Sequence, residues 1–325
     1  MELMMSSLAL IGARIVHFAS TMQVAGIFIF LLFVESPVFG QLCELMPPTL
    51  AAFRKQLLGC AWCSLAVSIA SGATWLLLLA VQISDSSVTQ AIANGTVQTL
   101  LSSTQFGHAW EARLVLAIIL AALLLWLGRH TQWRVAERFV GAVVAMSFLG
   151  AMAWSGHGGA TPGLLGDFHV TGDVFHLIAA GAWIGGILPL RLLLSSTEQM
   201  RGAAGTTIAH DATLRFSTLG IMAVGILTIT GLFNTWILVG SVRGLIDSAY
   251  GTLLLLKITI FLAMLTVAAF NRIRWTRRLA IQSEFHMRAD ALGRLKRNCL
   301  IETALGLAII IDVGVLGTIY HGMHR

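Results

Sequence analysis

The sequence predicts an all-α membrane protein with eight transmembrane helices, arranged as two parallel repeats of four helices. Three observations predict this fold: few charged residues, eight long apolar segments, and residues that recur in the same order in both halves. Of the 325 residues, 57% are hydrophobic and only 11% are charged. A soluble domain usually carries about 25% charged residues, so this chain would lack a polar surface in water. The lipid bilayer is therefore its expected solvent.

Eight segments are long and apolar enough to cross a bilayer, which takes about 20 residues of helix. Backbone polar groups find no water in lipid, so each segment is expected to be helical. The first segment has no basic start and no convincing cleavage site, which favours a helix over a cleavable signal. The predicted helices are residues 11–34, 56–81, 108–128, 137–156, 173–194, 213–239, 251–271 and 298–319.

Lysine and arginine in the connections orient the helices, because basic residues favour the cytoplasmic side. The connections after the second, fourth and sixth helices contain one basic residue between them, Arg243, whereas the other connections hold many. Both termini are therefore expected on the opposite side, which is the periplasm in a Gram-negative cell. This topology also accounts for the net charge of +6 without a nucleic-acid partner.

Similar residues recur in order in two halves of the chain. The matched pairs are Arg14 with Asp173, His17 with His176, Gly26 with Gly185, Arg54 with Arg215, Trp75 with Trp236, Arg113 with Lys257, and His157 with His321. Each unit contains four helices, an even number, so both units enter the membrane from the same side. The predicted repeats are residues 1–156 and 157–325.

Histidines concentrate at the periplasmic side of this topology, which holds seven of the ten. Ionisable groups in a membrane are costly and usually functional, and imidazole is a common copper ligand. We therefore expect several of these rings to converge in one shallow metal-binding pocket. The predicted metal ligands are His17, His108, His157, His169, Asp173, His176 and His321. Imidazole with thioether suits Cu(I), and imidazole with carboxylate suits Cu(II), so both oxidation states stay open.

Other polar groups lie within the predicted spans. Lys257 and Asp312 lie at similar depth in the seventh and eighth helices, where an ion pair would offset part of their burial cost. Glu302 lies near the inner end of the last helix. The chain contains no phosphate-binding G-x-x-x-x-G-K-[ST] sequence, so a nucleotide-driven pump is not expected.

Several spaced motifs resemble the copper resistance protein D (CopD) family, most strongly from about residue 154 to 317. They are Ser155-Gly156-His157, Asp173-x-x-His176 followed by Trp183-x-Gly185-Gly186, Arg215-Phe216-Ser217 with Gly231 and Asn234, Tyr250-Gly251 through Lys257, Asn271-Arg272, and Glu302. The resemblance implies a multi-pass inner-membrane protein of copper homeostasis that accepts copper at the periplasmic face and transfers or transports it. It also implies a periplasmic copper-binding partner of the CopC type. His157, Asp173 and His176 carry over as copper residues.

Two other functions stay open at this stage. The histidine and Trp-Gly pattern of the fifth helix is also similar to membrane proteins of the protoporphyrinogen-oxidase-like group, which bind haem b. A redox enzyme using copper or haem, with or without quinol, is therefore an alternative, and His17 with His157 is one example of an axial ligand pair. A non-catalytic docking scaffold for a periplasmic copper carrier is the third interpretation. Whether the protein is an enzyme is left open.

Overall fold

Eight long helices form the structure, a computed structural model that describes residues 2–40, 47–130, 132–156, 163–198, 200, 203–281 and 285–319. Every regular element in these ranges is helical, and eight helices are long and apolar enough to cross a bilayer. The spans are α1 (Leu8–Phe39), α2 (Pro48–Ser84), α3 (Gln105–Arg129), α4 (Val135–Ser155), α5 (Gly163–Thr197), α6 (Ala204–Val239), α7 (Ala249–Leu279) and α8 (Ala289–Ile319). The prediction of an all-α fold with eight membrane-spanning helices is confirmed.

The helices extend beyond the predicted spans. The helical backbone of α1 begins at Glu2 and that of α8 at Phe285. The α5 helix begins at Gly163 rather than at residue 173. Hydropathy detects only the apolar part of a helix, whereas its backbone hydrogen bonds continue into polar ends. As a result His169 belongs to α5, one turn before Asp173, rather than to the preceding loop.

Successive helices alternate in direction through the bundle. Thr21 of α1 contacts Ser68 of α2, whereas Glu35, further along α1, contacts Arg54, which precedes Ser68. The same reversal relates α1 and α8, because Arg14 donates a hydrogen bond of 3.1 Å to the carbonyl oxygen of Gly317. We call the face at which α1, α3, α5 and α7 begin the upper face, and the other the lower face.

Helices α1 and α5 form the centre of the bundle. In the most apolar stretch of each, 67% of the residues are buried, against 6% in α7, which lies at the periphery. A Cβ added to Gly26 would overlap the backbone of Gly185, and one added to Gly185 would overlap the Met22 carbonyl. Gln23 Nε2 also donates to the Gly185 carbonyl oxygen at 2.8 Å. Such close approach through small residues is typical of helix association in membranes.

Short helices precede α3 and α7 at the upper face. They are Val88–Ala93, Thr96–Ser103 and Val242–Asp247. A side-chain cap starts each following span: Thr104 Oγ1 accepts from the Gly107 amide at 3.0 Å, and Ser248 Oγ accepts from the Gly251 amide at 2.9 Å. These hydroxyls satisfy amide donors that the first helical turn leaves unpaired.

A buried charge cluster joins α1, α2 and α4 near the lower face. A π-helical turn, Leu31–Glu35, ends at a glutamate that is fully buried. The Glu35 carboxylate lies 2.7 Å from Arg54 and 3.0 Å from Arg138. Arg138 also donates to Ser36 Oγ at 3.3 Å. Both arginines, which the sequence analysis used only to predict the topology, therefore hold helices together.

Candidate functional site

Those predicted ligands that the structure describes do not form one cluster. His157 and His321 lie outside the described residues. His108 is exposed at the start of α3, with its Nε2 3.2 Å from the Ser102 carbonyl oxygen. Within the described ranges, no three His, Cys, Asp or Glu side chains lie close enough together to hold a metal ion. The expected shared pocket is therefore not formed by the described histidines, and the individual ligand roles stay predictions.

Three of the predicted residues lie together at the start of α5, beside α6, α7 and α8. We call their surroundings the C-terminal histidine site, which consists of His169, Asp173, His176, Thr230, Asn234, Lys257 and Asp312. Its core is a hydrogen bond of 2.8 Å between His176 Nδ1 and Thr230 Oγ1. The Thr230 hydroxyl donates to the Ile226 carbonyl oxygen at 2.7 Å, so it accepts from the imidazole. Nδ1 then carries the proton and Nε2 keeps its lone pair, the arrangement that metal-binding histidines use.

Asp173 is oriented by hydrogen bonding from α6. Asn234 Nδ2 donates to Asp173 Oδ1 at 2.6 Å, and Asp173 Oδ2 lies 3.9 Å from His169 Nε2. The Asp173 side chain is 20% exposed, whereas His169 is buried. The carboxylate is therefore held in a fixed direction, one helical turn from His176 on the same face of α5.

Lys257 of α7 adds a positive charge to the site, and Asp312 of α8 a second carboxylate. Lys257 interacts electrostatically with Asp312, with Asp173 and with His176. Asp312 is only 5% exposed, and neither of its carboxylate oxygens has a hydrogen-bond partner among the described residues. Since the structure records no direct ion pair between Lys257 and Asp312 within those residues, their pairing stays a prediction.

His17 has a similar environment between α1 and α2, but with different charges. Its Nδ1 lies 2.9 Å from the Ser68 carbonyl oxygen and 3.1 Å from Ser71 Oγ. Its Nε2 is buried beside a cavity of about 20 Å³, which has room for one water molecule. Arg113 also lines that cavity and donates to the Phe148 carbonyl oxygen at 3.3 Å. A cation beside His17 would therefore face a guanidinium.

The residues that orient His176 and Asp173 were not predicted as part of a site. Thr230 follows Ser71 by 159 residues, whereas the matched residues of the second and sixth helices, such as Trp75 and Trp236, differ by 161, so the repeat gave no direct signal for it. Asn234 belongs to one of the motifs that carry the family resemblance. Neither hydrogen bond could be predicted, because each depends on how α6 is rotated against α5.

Comparison with known protein families identifies the family of this chain. The model described as "Copper resistance protein D-like, N-terminal domain" matches residues 4–167, about half of the chain. The model described as "Copper resistance protein D" matches residues 210–316. The chain therefore belongs to the copper resistance protein D family. No solved structure matches it.

Three curated proteins illustrate the relationship. The chain is 28% identical to the copper transport protein CutJ of Bacillus subtilis, over 69% of this chain and 39% of that protein. It is 26% identical to copper resistance protein D of Pseudomonas syringae, over 54% and 56%. It is 28% identical to inner membrane protein YebZ of Escherichia coli, over 66% and 69%. The match thus spans less than two thirds of the first two relatives, and the eight spans with these similarities support a multi-pass inner-membrane protein.

Proposed function

We propose that this inner-membrane protein accepts copper at the periplasmic face and transfers or transports it. The observation that carries the proposal is the oriented imidazole of His176, one helical turn from the Asp173 carboxylate on the same face of α5. Its Nε2 is prepared for ligation by the hydrogen bond at Nδ1. The names of the CutJ and copper resistance protein D relatives, which refer to copper transport and resistance, support the choice of metal.

The upper face is the periplasmic face in this proposal, and both termini lie there. The distribution of lysine and arginine supports this orientation.

Support for two four-helix repeats, residues 1–156 and 157–325, comes from corresponding contacts. A Cβ added to Gly72 would touch the His17 ring, and one added to Gly231 would lie 3.9 Å from the His176 ring. A CopC-type periplasmic protein is the proposed copper donor, because the site begins at the periplasmic end of α5.

Only the C-terminal repeat is proposed to bind the metal. Asp173 and Asp312 contribute formal negative charges there, and Lys257 one positive charge. The N-terminal repeat has Arg14 and Arg113 at the positions matching Asp173 and Lys257. Uncompensated charge is costly in a membrane, so the cation is expected at His176 rather than His17.

The formal charges of the C-terminal histidine site match a monovalent ion, whereas its imidazole and carboxylate donors suit Cu(II), so both oxidation states stay open. Two carboxylates and one ammonium leave one net negative charge, which a monovalent ion neutralises. Lys257→Met should leave two negative charges and raise the affinity for Cu(II) relative to Cu(I) by about tenfold or more. Titration with each ion against a calibrated chelator measures this ratio. An unchanged ratio would show that Lys257 does not set the charge of the copper site.

Haem b has weaker support as a ligand of this protein. The cavity beside His17 measures about 20 Å³, far too small for a porphyrin, and His157 lies outside the described residues. The redox alternative is therefore not preferred. An optical spectrum of the purified protein tests this choice, because bound haem would give a Soret band.

Copper binding to the purified protein tests the main proposal. Wild type and His176→Ala are reconstituted in lipid nanodiscs, loaded with copper, separated from free metal and analysed for copper content. His210→Ala is the matched control, since His210 lies towards the opposite end of α6 and pairs with Asp211 at 3.0 Å. We expect His176→Ala to lose bound copper and His210→Ala to retain it. Equal copper in all three proteins would remove His176 from the site.

A further inference from the structure

A second cavity, of about 270 Å³, lies among α5, α6, α7 and α8 towards the lower face. Residues from motifs that carry the family resemblance, and that the copper site does not use, line it. They are Trp183, Phe216, Ser217, Asn271, Arg272 and Glu302. On α8, Glu302 precedes Asp312 by ten residues, which corresponds to about 15 Å along the helix. The cavity is therefore separate from the C-terminal histidine site.

One wall of the cavity is a buried polar network. Glu302 is 4% exposed, and its Oε1 accepts from Asn271 Nδ2 at 2.7 Å. Asn271 Oδ1 in turn accepts from Asn298 Nδ2 at 2.6 Å. Asn271 begins a π-helical turn of α7, Asn271–Thr276, a distortion that is frequent at functional sites. The network holds the carboxylate and the amide in fixed positions at the cavity surface.

The other walls are largely apolar, and the cavity reaches the bilayer. Ile221 of α6 and Ile273 of α7 both line it, yet they are 56% and 65% exposed. Exposed apolar side chains on membrane-spanning helices face lipid, so the opening lies between α6 and α7. An occupant can therefore enter from the membrane without passing through water.

The charges of the walls disfavour a simple cation. Arg272 lines the cavity and donates to Ser217 Oγ at 3.0 Å, which places a guanidinium in the same space as the Glu302 carboxylate. These two formal charges cancel, so the cavity needs no charged ligand. A plain hydrocarbon chain would form no hydrogen bond with the polar wall and would use only the apolar walls. The fitting occupant is a neutral membrane-soluble molecule whose head forms hydrogen bonds.

We propose that this cavity binds the ring of an isoprenoid quinone or quinol, with its tail left in the bilayer. The ring is neutral and flat: as a quinone its carbonyl oxygens can accept a hydrogen bond from Asn271 Nδ2, and as a quinol its hydroxyls can donate to the Glu302 carboxylate. Trp183 and Phe216 provide aromatic surface for ring packing. A volume of about 270 Å³ is slightly below the usual range of about 300–1,000 Å³ for small-molecule pockets, which suits a headgroup rather than a whole lipid. The proposal concerns binding and is independent of copper.

A binding experiment with a decyl-chain benzoquinone tests the proposal. Gly220 lines the cavity, and a Cβ added there meets nothing within 4 Å, so Gly220→Phe should fill the space. Gly225→Phe is the matched control, since Gly225 is an exposed residue of the same helix that does not line the cavity and also has open space. Wild type and the control should bind the radiolabelled quinone saturably in nanodiscs. Gly220→Phe should bind it about tenfold more weakly or worse.

A second variant and a competitor complete the test. Glu302→Gln keeps the size of the side chain and should weaken binding of the reduced quinol form, whose hydroxyl donates to the carboxylate. Decanol has a chain of the same length without a ring and should compete poorly. Unsaturable binding to wild type, equal affinity in Gly220→Phe and Gly225→Phe, or equal competition by decanol would each overturn the proposal. Copper content, measured in the same samples, reports separately on the copper site.

Discussion

Glu35→Gln removes the negative charge that two buried arginines share. The Glu35 side chain is fully buried, and the side chains of Arg54 and Arg138 are only 11% and 8% exposed. In the variant one amide oxygen would remain as an acceptor, but the amide NH₂ would face a guanidinium. Glu35→Gln therefore weakens the ion pairs with Arg54 and with Arg138 at once.

The size of the effect follows from the burial of these groups. Removing one partner of a buried pair typically costs about 3–5 kcal/mol, because the remaining charge stays in a poorly solvated place. An exposed pair contributes less than about 1 kcal/mol. Glu35→Gln should therefore lower the free energy of unfolding by about 3–5 kcal/mol.

Equilibrium unfolding of the purified protein in one fixed detergent measures this loss. Asp247→Asn is the control, since it breaks the Arg243–Asp247 pair, which has a similar distance of 3.3 Å but side chains that are 92% and 62% exposed. The control should unfold like wild type. If Glu35→Gln were no less stable than Asp247→Asn, the view that the cluster joins three helices would be refuted.

Two further substitutions test the helix packing and the metal site. Gly185→Ala should prevent folding or cost more than the about 1–3 kcal/mol of ordinary overpacking, because the new Cβ meets the rigid Met22 carbonyl. Gly225→Ala, with open space around it, should fold normally, and a similar yield of folded protein for both would contradict this packing. Thr230→Val should weaken copper binding about 10–100-fold, as loss of a hydrogen bond behind a ligating histidine does, without changing the fold. A chelator-competition titration measures this, and unchanged affinity would mean that the Nδ1 contact does not orient His176.

The number of helices could be predicted because hydropathy is averaged over a whole span. Polar ends do not contribute to that average, so the early start of α5 at Gly163 was missed. The same limitation placed His169 outside a helix. Helix boundaries depend on backbone hydrogen bonds, which polar residues maintain as well as apolar ones do.

The arrangement of the site was harder to predict, because topology gives depth but not direction. His17 and His176 lie at the same predicted depth, yet one faces α2 and the other faces α6. Equal depth therefore did not bring their rings together. The pairing of Glu302 with Asn271 depends in the same way on the rotation of α7 and on its π-helical turn.

X-ray absorption at the copper edge, on wild type loaded with one equivalent of copper, tests most directly whether His176 binds the metal. The spectrum should contain imidazole scattering that weakens in His176→Ala and is preserved in His17→Ala. Imidazole scattering that is absent from wild type, or unaffected by His176→Ala, would contradict copper binding in the C-terminal histidine site.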